Sequence, residues 1–197
     1  AVLPFADPDG MRLELIASAE SDPRSPAPSR EVPAEFALRG FHSSTLALTD
    51  ASATAALLTT TMGYRLAQTE GHRARYTTAA GGPGTYVDLL TDPTLPRGLN
   101  GAGTVHHIAF RVADDAAHLA AHDLLTARGH HVSEVIDRAY FKSIYYREPA
   151  GILFEIATDG PGFAIDEPLD RLGTILGLPP HLEPHRAEIE AALPKLG

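Results

Sequence analysis

Short runs of alternating apolar and polar residues fill most of this chain, and turn-forming residues separate them. Residues 40–48, GFHSSTLAL, predict a strand, and Asp50 caps a predicted helix of Ala, Leu and Thr that ends near Gly63. Three more strands are expected at 64–69, 72–78 and 85–90. The AAGGPG loop at 79–84 reads as a hairpin connection. It is not a phosphate loop, because no Lys-Ser/Thr pair follows in register. The second half repeats the order. Residues 105–112, VHHIAFRV, predict a strand, Asp114 or Asp115 caps a helix stopped by Gly129, and strands follow at 131–136, 139–146 and 152–157. Each half is strand, helix, strand, strand, strand. The expected fold class is α+β, built from paired βαβββ modules in a domain spanning 37–160, an ordinary domain size.

The ends carry a second repeat. Asp7-Pro8-Asp9-Gly10 precedes a short apolar strand bearing Glu14, and Glu148-Pro149-Ala150-Gly151 precedes a strand bearing Glu155. Such self-similarity is an organisational signal. It leads us to expect that residues 1–17 close an N-terminal domain whose beginning lies upstream of this chain. Residues 18–36, rich in Ser, Pro, Ala and charge, read as a linker. Residues 161–197 read as a C-terminal extension with a helical stretch at 185–193.

Composition narrows the chemistry. A formal charge of -9 argues against nucleic acid, which selects a basic stripe. Without cysteine, any metal must be held by His, Asp or Glu. No apolar run is long enough for a membrane span and no signal-peptide pattern opens the sequence, so a cytoplasmic location is expected. Ten histidines are the compositional oddity.

Glu155 is the odd carboxylate. Strand alternation puts it on the same side as Leu153 and Ala157, an apolar side where a charge needs a partner. Aligning the two halves by their first strands matches His107 to Ser43 and His106 to His42. Neighbouring strand residues face opposite ways, so a His107 that points into the cavity turns His42 away from it.

GTVHHIAFRV followed by YYREPAGILFEIATD resembles the vicinal oxygen chelate superfamily, whose βαβββ modules pair into a metal-holding cup. The YFKSIYYREP run and the tail are similar to those of hydroquinone-type extradiol ring-cleaving dioxygenases. That resemblance implies that His107 and Glu155 hold Fe(II) or Mn(II). It puts the third ligand on the first strand of an N-terminal domain that this chain does not contain, with His42 as the less favoured substitute. Two imidazoles and a carboxylate form the facial triad of non-haem Fe(II) oxygenases, leaving positions for an aromatic diol and O2. The resemblance also implies that Tyr145 hydrogen-bonds the substrate oxygen, Arg138 stabilises negative charge, and His106 assists proton transfer. The expected partners are a small aromatic diol and O2, and the expected assembly is a homo-oligomer.

Other residues have plainer readings. Glu14 is expected to be structural, Asp88 an ordinary strand residue, and His118 and His122 solvent-exposed on their helix. A glyoxalase-type lyase or isomerase, or an antibiotic-binding module, would use the same fold. The lyase would need a fourth carboxylate, for which Asp88 is the candidate.

Overall fold

The alternating runs fold into three sheets in a computed structural model, which describes every residue except 79, 97, 100, 196 and 197. A two-stranded hairpin comes first, β1 (Val2–Ala6) against β2 (Arg12–Ile16). The first module contains β3 (Ser43–Leu48), α1 (Ser52–Thr60), β4 (Arg65–Glu70), β5 (Arg73–Thr77) and β6 (Tyr86–Thr91). The second contains β7 (Ile108–Val112), α2 (Asp115–Ala127), β8 (Ile136–Asp137), β9 (Lys142–Arg147) and β10 (Leu153–Thr158). Strand order is β3-β6-β5-β4 in one sheet and β7-β10-β9-β8 in the other. In both, the first and last strands pair in parallel and the remaining pairs are antiparallel. The α+β class and the doubled βαβββ order are as the pattern predicts.

Inward-facing residues of both modules share one core. Leu46, Leu58, Val87 and Leu89 from the first join Leu125, Ile144, Phe154 and Ile156 from the second. Polar contacts also cross between them. Tyr146 donates its hydroxyl to Met62 Sδ at 3.3 Å, and Thr54 donates to the buried Glu148 carboxylate at 2.6 Å. The ends of α2 follow the expected caps. Asp114 accepts from the Ala117 amide at 2.8 Å, and Gly129 ends α2 at φ 86°. Asp50 does not cap α1 as expected: the cap position is Ala51, without a side-chain cap bond, and Asp50 accepts from the Ser52 amide one place earlier.

The hairpin repeat extends to its hydrogen bonds. Asp7 accepts from the Met11 amide through its side chain and from the Gly10 amide through its carbonyl. Glu148 does the same with Ile152 and Gly151. Gly10 and Gly151 both take the positive φ that the turn requires, 87° and 93°. Glu14 pairs with Pro4 as Glu155 pairs with Tyr145.

Four expectations need correction. The strand predicted at 131–136 is only the two-residue β8, with 131–135 irregular. The strands predicted from 105 and from 40 begin at Ile108 and Ser43, so His106, His107 and His42 all precede their strands. His118 is not exposed: it is 1% accessible, with Nε2 3.0 Å from the Ile156 carbonyl. A carbonyl can only accept, so that nitrogen carries the proton. The 79–84 loop does connect β5 to β6, although position 79 lies outside the described residues.

Beyond β10 the extension wraps back on the second module. Tyr140 stacks on Phe163 at 5.1 Å and donates its hydroxyl to Asp166 at 2.7 Å. A short α3 (Arg186–Ala192) covers most of the predicted terminal helix. No helix among the described residues is long and apolar enough to cross a membrane.

Candidate metal centre

β10 is the middle of the second module, hydrogen-bonded to β7 on one side and β9 on the other. Its central residue, Glu155, is 2% accessible, and its neighbours Phe154 and Ile156 are buried in the core. Oε2 lies 2.8 Å from His107 Nε2. Oε1 is buried with no hydrogen-bond partner. A desolvated carboxylate oxygen without a partner is costly unless a cation completes it.

His107 stands at the rim, where the chain enters β7, and it is 35% exposed. Its Nδ1 lies 2.9 Å from Nδ1 of His106. Because β7 starts only at Ile108, alternation does not force the two imidazoles apart. An ionised carboxylate only accepts, so in the arrangement seen the His107 Nε2 facing Glu155 carries a proton, and the donor of the Nδ1–Nδ1 contact with His106 follows from the tautomers.

Tyr145 sits directly across from Glu155 in the antiparallel register, and its ring stands perpendicular to that of His107 at 5.9 Å. Arg138 Nη2 donates to the Tyr145 hydroxyl oxygen at 3.3 Å, and its guanidinium carbon lies 5.7 Å from the ring centroid. The Arg138 loop is tied down locally. Asp137 accepts from the Ala139 amide at 2.8 Å, and Ala139 adopts φ 66°, an uncommon left-handed conformation for alanine.

The structure therefore brings His106, His107, Arg138, Tyr145 and Glu155 into one cluster. His42 is not part of it. It belongs to the first module, 5.2 Å from the Tyr86 ring, and burial, with Arg75 beside it, pushes its imidazole below the ordinary histidine range. No three His, Asp or Glu residues converge on one point among the described residues. His107 Nε2 and the Glu155 carboxylate are donors of kinds that suit a divalent metal.

Sequence reading missed what surrounds Asp88. That carboxylate is fully buried and held by Arg75 and Arg73, so it is not open to serve as a fourth ligand. The signal was available: Arg73 and Arg75 alternate on a strand opposite an acid in an apolar strand. Glu148 is also a buried group, which its turn position in the sequence does not reveal.

Residues 19–156 match the Glyoxalase/Bleomycin resistance protein/Dioxygenase superfamily. The chain belongs to that superfamily. Among relatives of this superfamily member is MhqA of Bacillus subtilis (strain 168), which bears the name of a ring-cleaving dioxygenase. The two are 40% identical over 198 residues, covering 98% of this chain and 63% of MhqA. The chlorohydroquinone/hydroquinone 1,2-dioxygenase of Sphingobium indicum is 34% identical, over 95% of this chain and 59% of its own length. A crystal structure of a Bacillus subtilis protein assigned as a dioxygenase aligns with a TM-score of 0.89 at 41% identity. It is matched over 100% of this chain and 62% of that one. The superfamily member thus spans about three fifths of the length of the curated relatives it matches.

Proposed function

We propose that this chain is part of an extradiol-type ring-cleaving dioxygenase that opens a hydroquinone- or catechol-like diol with O2 at a non-haem Fe(II) site. Mn(II) is the other metal the donors suit. The observation that carries this reading is Glu155: buried, with one oxygen on His107 and the other unpartnered, in a chain similar to proteins named as ring-cleaving dioxygenases. His107 Nε2 and the Glu155 carboxylate would hold the metal. The third ligand would come from a histidine upstream, in an N-terminal domain of which residues 1–17 are the last hairpin. When bound, the metal would bring diol and O2 together and pass electron density between them.

The remaining work falls to the chain's own residues. Arg138 donates to the Tyr145 oxygen, which leaves the phenol proton free to point to a substrate oxygen. The same guanidinium adds positive charge where the diol becomes anionic. His106 would give its Nδ1 proton to His107 Nδ1 and take one from solvent at its own Nε2, while the His107 Nε2 proton leaves to solvent, so that Nε2 could offer its lone pair to a cation. The core around Phe154 and Ile156 excludes water from behind Glu155. The substrate pair is a small aromatic diol and O2, and the setting is a cytoplasmic homo-oligomer.

The test is oxygen uptake by the full-length protein, loaded with Fe(II) and given hydroquinones and catechols, with a yellow ring-opened product. Absence of turnover across such a panel, with the metal demonstrably bound, would overturn the proposal.

A further inference from the structure

Asp88 occupies in the first module the place that Glu155 occupies in the second. Each lies mid-strand in the last strand of its βαβββ unit, and each is buried. Asp88 pairs with Arg75 on the preceding strand and Thr45 on the first. Glu155 pairs with Tyr145 and Ala109 in the same two directions. Two residues before Thr45 and Ala109 stand Ser43 and His107, so the first module has a hydroxyl where the second has an imidazole.

The two carboxylates differ in what they meet. Glu155 has an unpartnered oxygen, whereas Asp88 has none. Arg75 grips it with Nε on Oδ1 and Nη2 on Oδ2, each at 2.8 Å. Arg73 Nη1 lies among three oxygens from three strands: Glu14 Oε2 at 3.0 Å, Asp88 Oδ2 at 3.1 Å and Thr45 Oγ1 at 3.2 Å. Arg73 Nη2 completes a fork on Glu14. Two guanidiniums thus balance two carboxylates.

We propose that the first module carries a closed counterpart of the metal centre, in which the Arg73 guanidinium takes the cation's place and clamps the Glu14 hairpin to the module. The parallel with a metal centre rests on the proposed His107–Glu155 site, while the clamp does not. A guanidinium keeps its charge throughout the usable pH range and is tethered, so it satisfies Asp88 permanently and leaves no opening for an exchangeable ion. Its fork geometry suits a carboxylate brought in by a separate element. The hairpin is also seated at its turn. A Cβ on Gly103, at φ 77°, would lie 2.2 Å from the Asp9 carbonyl oxygen, so the close approach requires glycine.

Hydrogen exchange and Mn(II) binding by electron paramagnetic resonance, in the full chain, test this. In Arg73→Ala, amides of 12–16 should exchange about tenfold faster and Tm should fall on the order of 10 °C. Asp88→Asn should leave the bound Mn(II) count at the wild-type value, whereas Glu155→Gln should lower it. Unchanged hairpin protection in Arg73→Ala, or Mn(II) lost in Asp88→Asn, would overturn the clamp. If Arg73→Ala does not fold, Arg73→Lys replaces it. Lysine keeps the charge but loses the fork, so faster hairpin exchange is again expected and unchanged protection again refutes. A Glu155→Gln variant with full Mn(II) binding would defeat the dioxygenase site and leave the clamp standing.

Discussion

Thr54 and Glu148, 94 residues apart in sequence, meet through a buried 2.6 Å hydrogen bond that ties α1 of one module to the hairpin of the other. The second Glu148 oxygen accepts from the Ile152 amide at 2.9 Å, so the carboxylate is fully engaged. Thr54→Val leaves a buried carboxylate oxygen short of a donor. It should cost about 1.5–3 kcal/mol, read as a lower midpoint in urea with unchanged slope. Glu148→Ala should cost more, because it frees both Thr54 and the turn.

Glu155→Gln keeps the shape of the site and removes the charge. A neutral amide in a buried position is a poor metal ligand, so metal affinity should fall by more than the roughly 10–100-fold that loss of a supporting residue costs. Metal content after gel filtration measures it. Circular dichroism should show an intact fold, since no salt bridge to Lys or Arg is lost at Glu155.

Tyr145→Phe separates substrate handling from metal holding. In the proposed reading the hydroxyl serves the substrate, and its one side-chain hydrogen bond among the described residues is from Arg138, not to Glu155 or His107. Metal content should therefore be unchanged while kcat falls about 100-fold, the lower range for a positioned proton donor. Arg138→Gln should lower kcat in the same direction, and the double variant should be less than additive, because Arg138 acts on the Tyr145 oxygen.

Sequence spacing carried the doubled βαβββ order, because strand and helix patterns are periodic and local, while the pairing of Glu155 with His107 came from the family resemblance rather than from spacing. Spacing did not carry His118. The helix face there reads as polar, yet α2 packs with that histidine against β10, and the Ile156 carbonyl supplies its partner. Which polar residue is buried depends on what the helix meets, information that lies 38 residues away. The alternation of Arg73 and Arg75 points to Asp88, but the meeting of Arg73 with Glu14 and Thr45 does not show in the sequence, because those oxygens come from separate strands. His42 stands apart from the cluster, as the alignment of the two halves leads one to expect, although His42, His106 and His107 all precede their strands, where alternation does not fix side-chain direction.

His118→Leu tests that packing. It fills much of the volume but strands the Ile156 carbonyl, so a loss of about 1–3 kcal/mol is expected. His118→Ala adds a cavity and should lose more. Thermal unfolding of both variants orders them.

His42 should make stability depend on pH. Its imidazole is held below the ordinary value of 6.5, chiefly by burial and secondarily by the nearby Arg75, with Arg24 acting in the same direction and Glu20 and Asp88 opposing. The folded state therefore resists protonation where the unfolded chain accepts it. Between the folded pKa and 6.5 the unfolded state binds more protons, so stability rises with pH across that window. The contribution is fully present above 6.5 and is lost as pH falls through the window. An NMR titration should place the His42 midpoint below 6.5. His42→Asn should flatten this part of the pH–stability curve, while a midpoint at or above 6.5 would contradict the burial argument.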